Sequence, residues 1–156
     1  SFLGDVTSAK TLLICSILLS AIDKDISSYY MDINDFYRLQ EIRYSDQSDK
    51  YQKKNQMLNE VSILAIDGIG FGIQGGKPAS KQALASLLQD RILAKKTTLI
   101  GSTLSKPEDL AIVCSEFPNL VQDSCPLNVI LIRNEFLNQE TRRKVKLFEN
   151  LPEGKE

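Results

Sequence analysis

Lys10 and Thr11, at the end of "GDVTSAKT", and Asp67, at the end of "SILAID", are the residues whose types and spacing can do chemistry. A polyphosphate is held by backbone N–H groups turned towards its oxygens, by a lysine, and by a divalent cation that a hydroxyl and a carboxylate help to place. The stretch Gly4, Asp5, Val6, Thr7, Ser8, Ala9, Lys10, Thr11 keeps the pattern G-x-x-x-x-G-K-[ST] except for its second glycine, which is Ala9. A methyl group there crowds the phosphate path, and the backbone freedom of glycine is lost. By itself the stretch also fits a strand, a turn and a helix with a solvated lysine. Asp67 by itself also fits an ordinary strand-end turn. Together they favour a phosphate site, because the apolar run 63–66 puts this carboxylate at the tip of a buried strand.

Such a site must be carried by strands and helices in alternation. Residues 1–3 read as the end of a strand, and the nearly all-apolar run 10–23 as a helix buried between layers. Strands are expected over 28–33, 62–67, 97–103 and 128–132. Helices are expected over 34–43 with Asn34 as cap, over 49–59, and from Ser80, as cap, to residue 94. Ser105 and Glu108 have capping-box spacing and start a further helix to 116, and 135–150 is a basic amphipathic helix. The expected fold class is α/β, three layers with a central parallel sheet. One domain over 1–150 and a frayed tail over 151–156 follow. A chain that opens with serine inside a strand suits a piece of a longer protein.

Composition narrows the chemistry. There is no histidine, which removes Ser-His-Asp and Cys-His nucleophile systems, a histidine base and most catalytic zinc sites. The net charge of −1 gives no global field to attract nucleic acid. Cys15, Cys114 and Cys125 are odd in number and lie in or near apolar runs without a C-x-x-C, as in a reduced, cytoplasmic protein. The apolar run 12–22 is shorter than the ~20 residues that cross a bilayer, so no membrane partner is expected.

Four segments resemble one family: "GDVTSAKTLLICSILLSAI", "SSYYMDINDFYRLQ", "SILAIDGIG" and "LASLLQDRILAKKTTLIGSTLSKPEDL". The chain is similar to the AAA+ ATPases that load the bacterial replicative helicase, and to the helper ATPases of some transposons. The resemblance implies a P-loop NTPase fold of AAA+ type and ATP or ADP with magnesium as cofactors. It implies that the N–H groups of 5–11 cradle phosphates, that Lys10 contacts them, and that Thr11 and Asp67 place the magnesium. Implied partners are a helicase or other replication protein, another AAA+ subunit, and single-stranded DNA. The given sequence ends soon after its last expected strand, so no separate helical lid is expected within it.

The same resemblance marks what is missing. The acid that should follow Asp67 and polarise water is Gly68, and the sensor asparagine is Thr103. No arginine lies between Arg91 and Arg133 to serve as a finger, a group worth roughly 10³–10⁵ in rate. Nucleotide binding with weak or absent hydrolysis is the leading expectation. The alternatives are a slow ATPase completed by a partner, and a nucleotide-free scaffold. Asp32 and Asp35 read as a turn and a helix start rather than as substitute acids. The fingerprint G-x-G-x-x-G over 70–75 follows a strand, but Pro78 intervenes and the next strand has no acid, so a loop beside the sheet edge is expected. Lysines 50, 53, 54, 95 and 96 and the group Arg142, Arg143, Lys144, Lys146 read as solvated faces or helix-end charges. Single-stranded DNA would want such a basic groove with tyrosines for stacking, from among Tyr29, Tyr30, Tyr37, Tyr44 and Tyr51.

Overall fold

The computed structural model describes residues 2–3, 9–44, 48–70, 77–104, 107–112, 115, 118–119 and 130–131. Five strands form one parallel sheet: β1 (Phe2–Leu3), β2 (Ser28–Asp32), β3 (Ile63–Ile69), β4 (Thr97–Ser102) and β5 (Ile130–Leu131), in the order β2-β3-β4-β1-β5. Helix α1 (Lys10–Ile22) follows β1, α2 (Ile33–Glu41) and α3 (Ser48–Glu60) follow β2, and α4 (Pro78–Leu93) follows β3. Short 3₁₀ segments cover Ile42–Tyr44 and Pro107–Ile112. The expected α/β class with a central parallel sheet is what the chain adopts.

The order decides where a ligand can sit. From β1 the chain jumps over β4 and β3 to reach β2, then steps back through β3 to β4. Right-handed crossovers therefore put α1 on one face and α2 and α4 on the other. From β1 and β4, neighbours in the sheet, the chain runs on in opposite directions, the arrangement at whose carboxyl ends parallel α/β sheets bind ligands. Lys10 and Thr11, which follow β1, stand at this edge.

The face under α2, α3 and α4 holds the main core, including Phe36, Leu58, Leu64, Ile66, Ile69 and Leu84. The apolar sequence of β3 is explained by its place between β2 and β4, with both faces covered. The face under α1 has a smaller cluster, Ile14, Leu18 and Ala65. Contrary to expectation, α1 is not buried all round. It buries Lys10, Ile14, Leu18 and Ala21, one helical stripe, and leaves Leu12 and Leu19 69% and 62% exposed.

Several boundaries differ from the expected ones for local reasons. Asp32, not Asn34, caps α2, because its Oδ1 accepts the Asn34 N–H at 2.8 Å. Helix α4 starts at Pro78, whose fixed φ suits a first helical position, so Ser80 lies inside the first turn rather than at the cap. Strand β3 runs two residues past Asp67, with an irregularity between Ile66 and Ile69 and Gly68 at φ +82°. Within the expected helix 105–116, the described chain forms a 3₁₀ segment over Pro107–Ile112. Ser105, Cys114, Cys125 and the expected helix over 135–150 lie outside the described residues. Among the described residues no helix is long and apolar enough to cross a membrane.

One buried cation holds the opposite end of the sheet together. Arg91, fully buried near the end of α4, donates to the carbonyls of Leu58 (2.8 Å), Val61 (2.9 Å) and Thr97 (2.6 Å) and to Thr98 Oγ1 (2.9 Å). Its planar fork thereby joins the end of α3, the turn into β3 and the start of β4. Burial lowers its pKa from the ordinary guanidinium value. Lys96 adds bonds to the carbonyls of Asn59 (2.8 Å) and Glu60 (2.7 Å), the helix-end role expected of it.

A candidate nucleotide site at the carboxyl edge of the sheet

Strand β4 separates β1 from β3, so a group following β1 must reach across β4 to meet Asp67. It does. Thr11 Oγ1, in the first turn of α1, donates to Asp67 Oδ2 at 2.5 Å. The crossing is possible because β4 has Gly101 at this level. A Cβ on Gly101 would overlap Asp67 Oδ1 and come within 2.9 Å of Ile14 Cδ1. Gly101 was not singled out from the sequence as part of the site. A glycine in an otherwise apolar strand, marking close approach, was the signal available.

Asp67 is 6% exposed, and both its oxygens are engaged. Oδ1 accepts the N–H of Gly68 at 2.8 Å, while Oδ2 also accepts the phenol of Tyr30 at 3.3 Å. Burial first, and then the charge of Asp67, push the Tyr30 pKa up to about 12, so the phenol stays a proton donor. Tyr30 is a second member of the site that spacing alone did not single out. Alternation along β2 puts it on the same face as Asp32, two residues on.

Lys10 is 4% exposed, which rules out the solvated lysine of the alternative sequence reading. Ala9 is an exposed turn residue with φ −68°, an ordinary value for any L-residue, so its backbone does not demand the glycine that the motif normally has. Gly4, Asp5, Val6, Thr7 and Ser8 lie outside the described residues. Thr103 N donates to the carbonyl of Ile69 at 2.9 Å, which sets its side chain beside the end of β3. A Cβ on Gly70, at φ +101°, would overlap Thr103 Oγ1.

The donor set suits a cation that arrives with phosphate. With its hydroxyl hydrogen turned to Asp67, Thr11 has oxygen lone pairs that could face a magnesium ion, and Asp67 stands behind as the negative charge. Among the described residues no group of three or more carboxylate, thiol or imidazole side chains gathers to hold a metal alone. Magnesium with most of its shell made of water and phosphate oxygens needs no such cage.

A separate cleft of about 800 Å³ lies between β2, α2 and α3. Arg38, Lys50, Lys53 and Lys54 line it over an apolar floor that includes Met31, Leu39 and Met57. The Lys54 ammonium sits 4.0 Å from the centre of the Tyr29 ring.

No protein-family model and no curated protein sequence matches the chain. Solved structures do match its fold. DnaA from Aquifex aeolicus bound to AMPPCP superposes with a TM-score of 0.65 at 19% identity, over 97% of this chain and 46% of that one. The DnaC helicase loader gives 0.68 at 19% identity, over 84% of this chain and 76% of that one. A replication initiator DnaA bound to AMPPCP and single-stranded DNA gives 0.66 at 18% identity, over 97% and 46%. The chain thus spans about half the length of the DnaA structures it matches. Its fold is that of the P-loop AAA+ domains of replication initiators and helicase loaders.

Proposed function

We propose that this domain binds ATP or ADP with magnesium at the carboxyl ends of β1 and β4. It serves as a nucleotide-responsive docking module in DNA replication or the maintenance of a mobile element, with hydrolysis that is slow at most. The observation that carries this reading is the Thr11–Asp67 hydrogen bond at 2.5 Å, made across β4 over Gly101. Two residues 56 positions apart meet in the arrangement that a magnesium–phosphate group needs, beside a nearly buried lysine. AMPPCP in the two DnaA structures of the same fold supports the same class of ligand.

The site's own chain does the holding. Lys10 neutralises phosphate charge, Thr11 and Asp67 orient the cation, and Tyr30 and the Gly68 N–H fix the carboxylate. Bound magnesium would supply charge neutralisation for the phosphate oxygens. Slow hydrolysis follows from Gly68 and Thr103 standing where stronger water- and phosphate-positioning groups are expected. A replication partner protein is supported by the likeness to the DnaC helicase loader. Single-stranded DNA is supported by the basic cleft between α2 and α3 and by the DNA-bound initiator of the same fold.

Titration of labelled ATP with and without magnesium tests the reading. Binding that needs magnesium and is lost in Lys10→Ala is the expected result. No binding to the parent chain at millimolar nucleotide would leave a scaffold that kept only the fold.

A further inference from the structure

Hydrolysis of a phosphoanhydride needs a group that orients the attacking water, and Gly68 has no side chain to do so. Asp32 and Asp67 lie opposite one another in the β2–β3 pairing at the carboxyl edge of the sheet. They are used differently. Both oxygens of Asp67 are taken, by Thr11, Tyr30 and the Gly68 N–H. Asp32 uses Oδ1 for the Asn34 backbone (2.8 Å) and side-chain amide (2.9 Å). Its Oδ2 accepts no hydrogen bond among the described residues.

That free oxygen sits in a particular place. A Cβ built on Gly68 would lie 2.9 Å from Asp32 Oδ2 and 3.5 Å from Ile33 Cγ2. The Asp32 carboxylate therefore borders the space that a side chain at position 68 would enter. At φ +82° that position also disfavours any L-residue. The bare backbone of one strand leaves room for a carboxylate from the next.

We propose that Asp32 is the water-orienting carboxylate of this domain, through Oδ2, while Oδ1 remains the cap of α2. The inference rests on the nucleotide reading above and assigns the residual turnover to a residue of this chain. In the step, the water oxygen bonds to the γ-phosphorus. The bond from that phosphorus to the β–γ bridging oxygen breaks, and its electron pair leaves with ADP. The water's proton passes through Asp32 Oδ2 to solvent, giving ADP, inorganic phosphate and a proton. Groups in this role contribute about 10²–10⁴ in rate.

Asp32→Asn tests it, because asparagine caps a helix as well as aspartate does and keeps the oxygen that Asn34 needs. Two quantities are measured on parent and variant: single-turnover hydrolysis of labelled ATP, and the ratio of AMPPCP to ADP affinity. Turnover is expected to fall at least about tenfold. The affinity ratio is expected to rise severalfold, since a negative charge facing the γ-phosphate end has gone. Turnover within twofold of the parent overturns the proposal. So does a parent that binds ATP without turning it over, or a fall in turnover with an unmoved affinity ratio. A parent that binds no nucleotide defeats the nucleotide reading itself, and this assignment falls with it.

Discussion

Among the described residues, fourteen buried apolar side chains fill the sheet face under α2, α3 and α4, whereas three, Ile14, Leu18 and Ala65, fill the face under α1. The charged and hydroxyl groups are distributed the other way. Lys10, Thr11 and Asp67 are on the α1 side or reach towards it, and Tyr30 joins them from the edge strand. The main core and the candidate ligand groups are thus divided between two faces of one sheet. The larger core holds the strands still, and the thinner face can keep polar groups close to solvent where a ligand reaches them. Substitutions on the two faces should separate folding from binding, and that is how the division can be tested.

The largest effect is expected at Arg91, which belongs to the well-packed side. Arg91→Met keeps much of the volume but strands the carbonyls of Leu58, Val61 and Thr97 without a donor. At about 1–3 kcal/mol for each buried unsatisfied group, the loss should be about 3 kcal/mol or more. Thermal unfolding followed by circular dichroism should then show a midpoint lower by roughly 6–12 °C. A shift of a degree or two would mean that the end of the sheet is held by something other than this cation.

Gly101→Ala should break the division from the other direction. The added methyl overlaps the Asp67 carboxylate and presses on Ile14, so it pushes the carboxylate off Thr11. Overpacking of this kind costs about 1–3 kcal/mol. The more telling readout is magnesium-dependent nucleotide binding, which should fall at least about tenfold while far-ultraviolet circular dichroism keeps its shape. Retained binding would show that the Thr11–Asp67 contact does not place the cation.

The architecture was legible in the sequence because its signals are strong ones. The apolar run before Asp67 is of the kind found in strands covered on both faces, and alternation with helices implied parallel pairing. The meeting of Thr11 with Asp67 was legible too, since phosphate chemistry restricts which residue types could be paired as a candidate site. What was not legible depends on neighbours across strands. Nothing in the letters of β4 says that Gly101 faces Asp67, and nothing in β2 says that the Tyr30 phenol reaches it. The cap of α2 moved from Asn34 to Asp32 because either side chain can accept a backbone N–H, and the strand end decides which one does. Helix α1 was misjudged for a related reason. Its apolar residues go all round, so periodicity could not choose the buried stripe.

A smaller effect is expected on the outer side of α1. Leu19 is 62% exposed, so Leu19→Gln should change unfolding stability by no more than about 0.5 kcal/mol. A loss of about 2 kcal/mol would instead show that this side chain is buried in solution.

The smallest effect is a pH dependence that reports on the polar face alone. The Tyr30 pKa is raised from 10.0 to about 12, and the side chain is partly exposed. Below pH 10 the phenol is protonated in both folded and unfolded chains, so its hydrogen bond to Asp67 contributes fully. Between pH 10 and about 12 the unfolded chain gives up this proton while the folded chain holds it, so stability falls as pH rises. Above about 12 the contribution is gone. Every other group of the chain is shared by Tyr30→Phe, so the difference between parent and variant isolates the one phenol. Urea midpoints of the parent should therefore decline more steeply across that window than those of the variant. Parallel declines would mean that Asp67 is held by Thr11 and the Gly68 N–H without help from β2, and the polar face would then owe its order to α1 and β3.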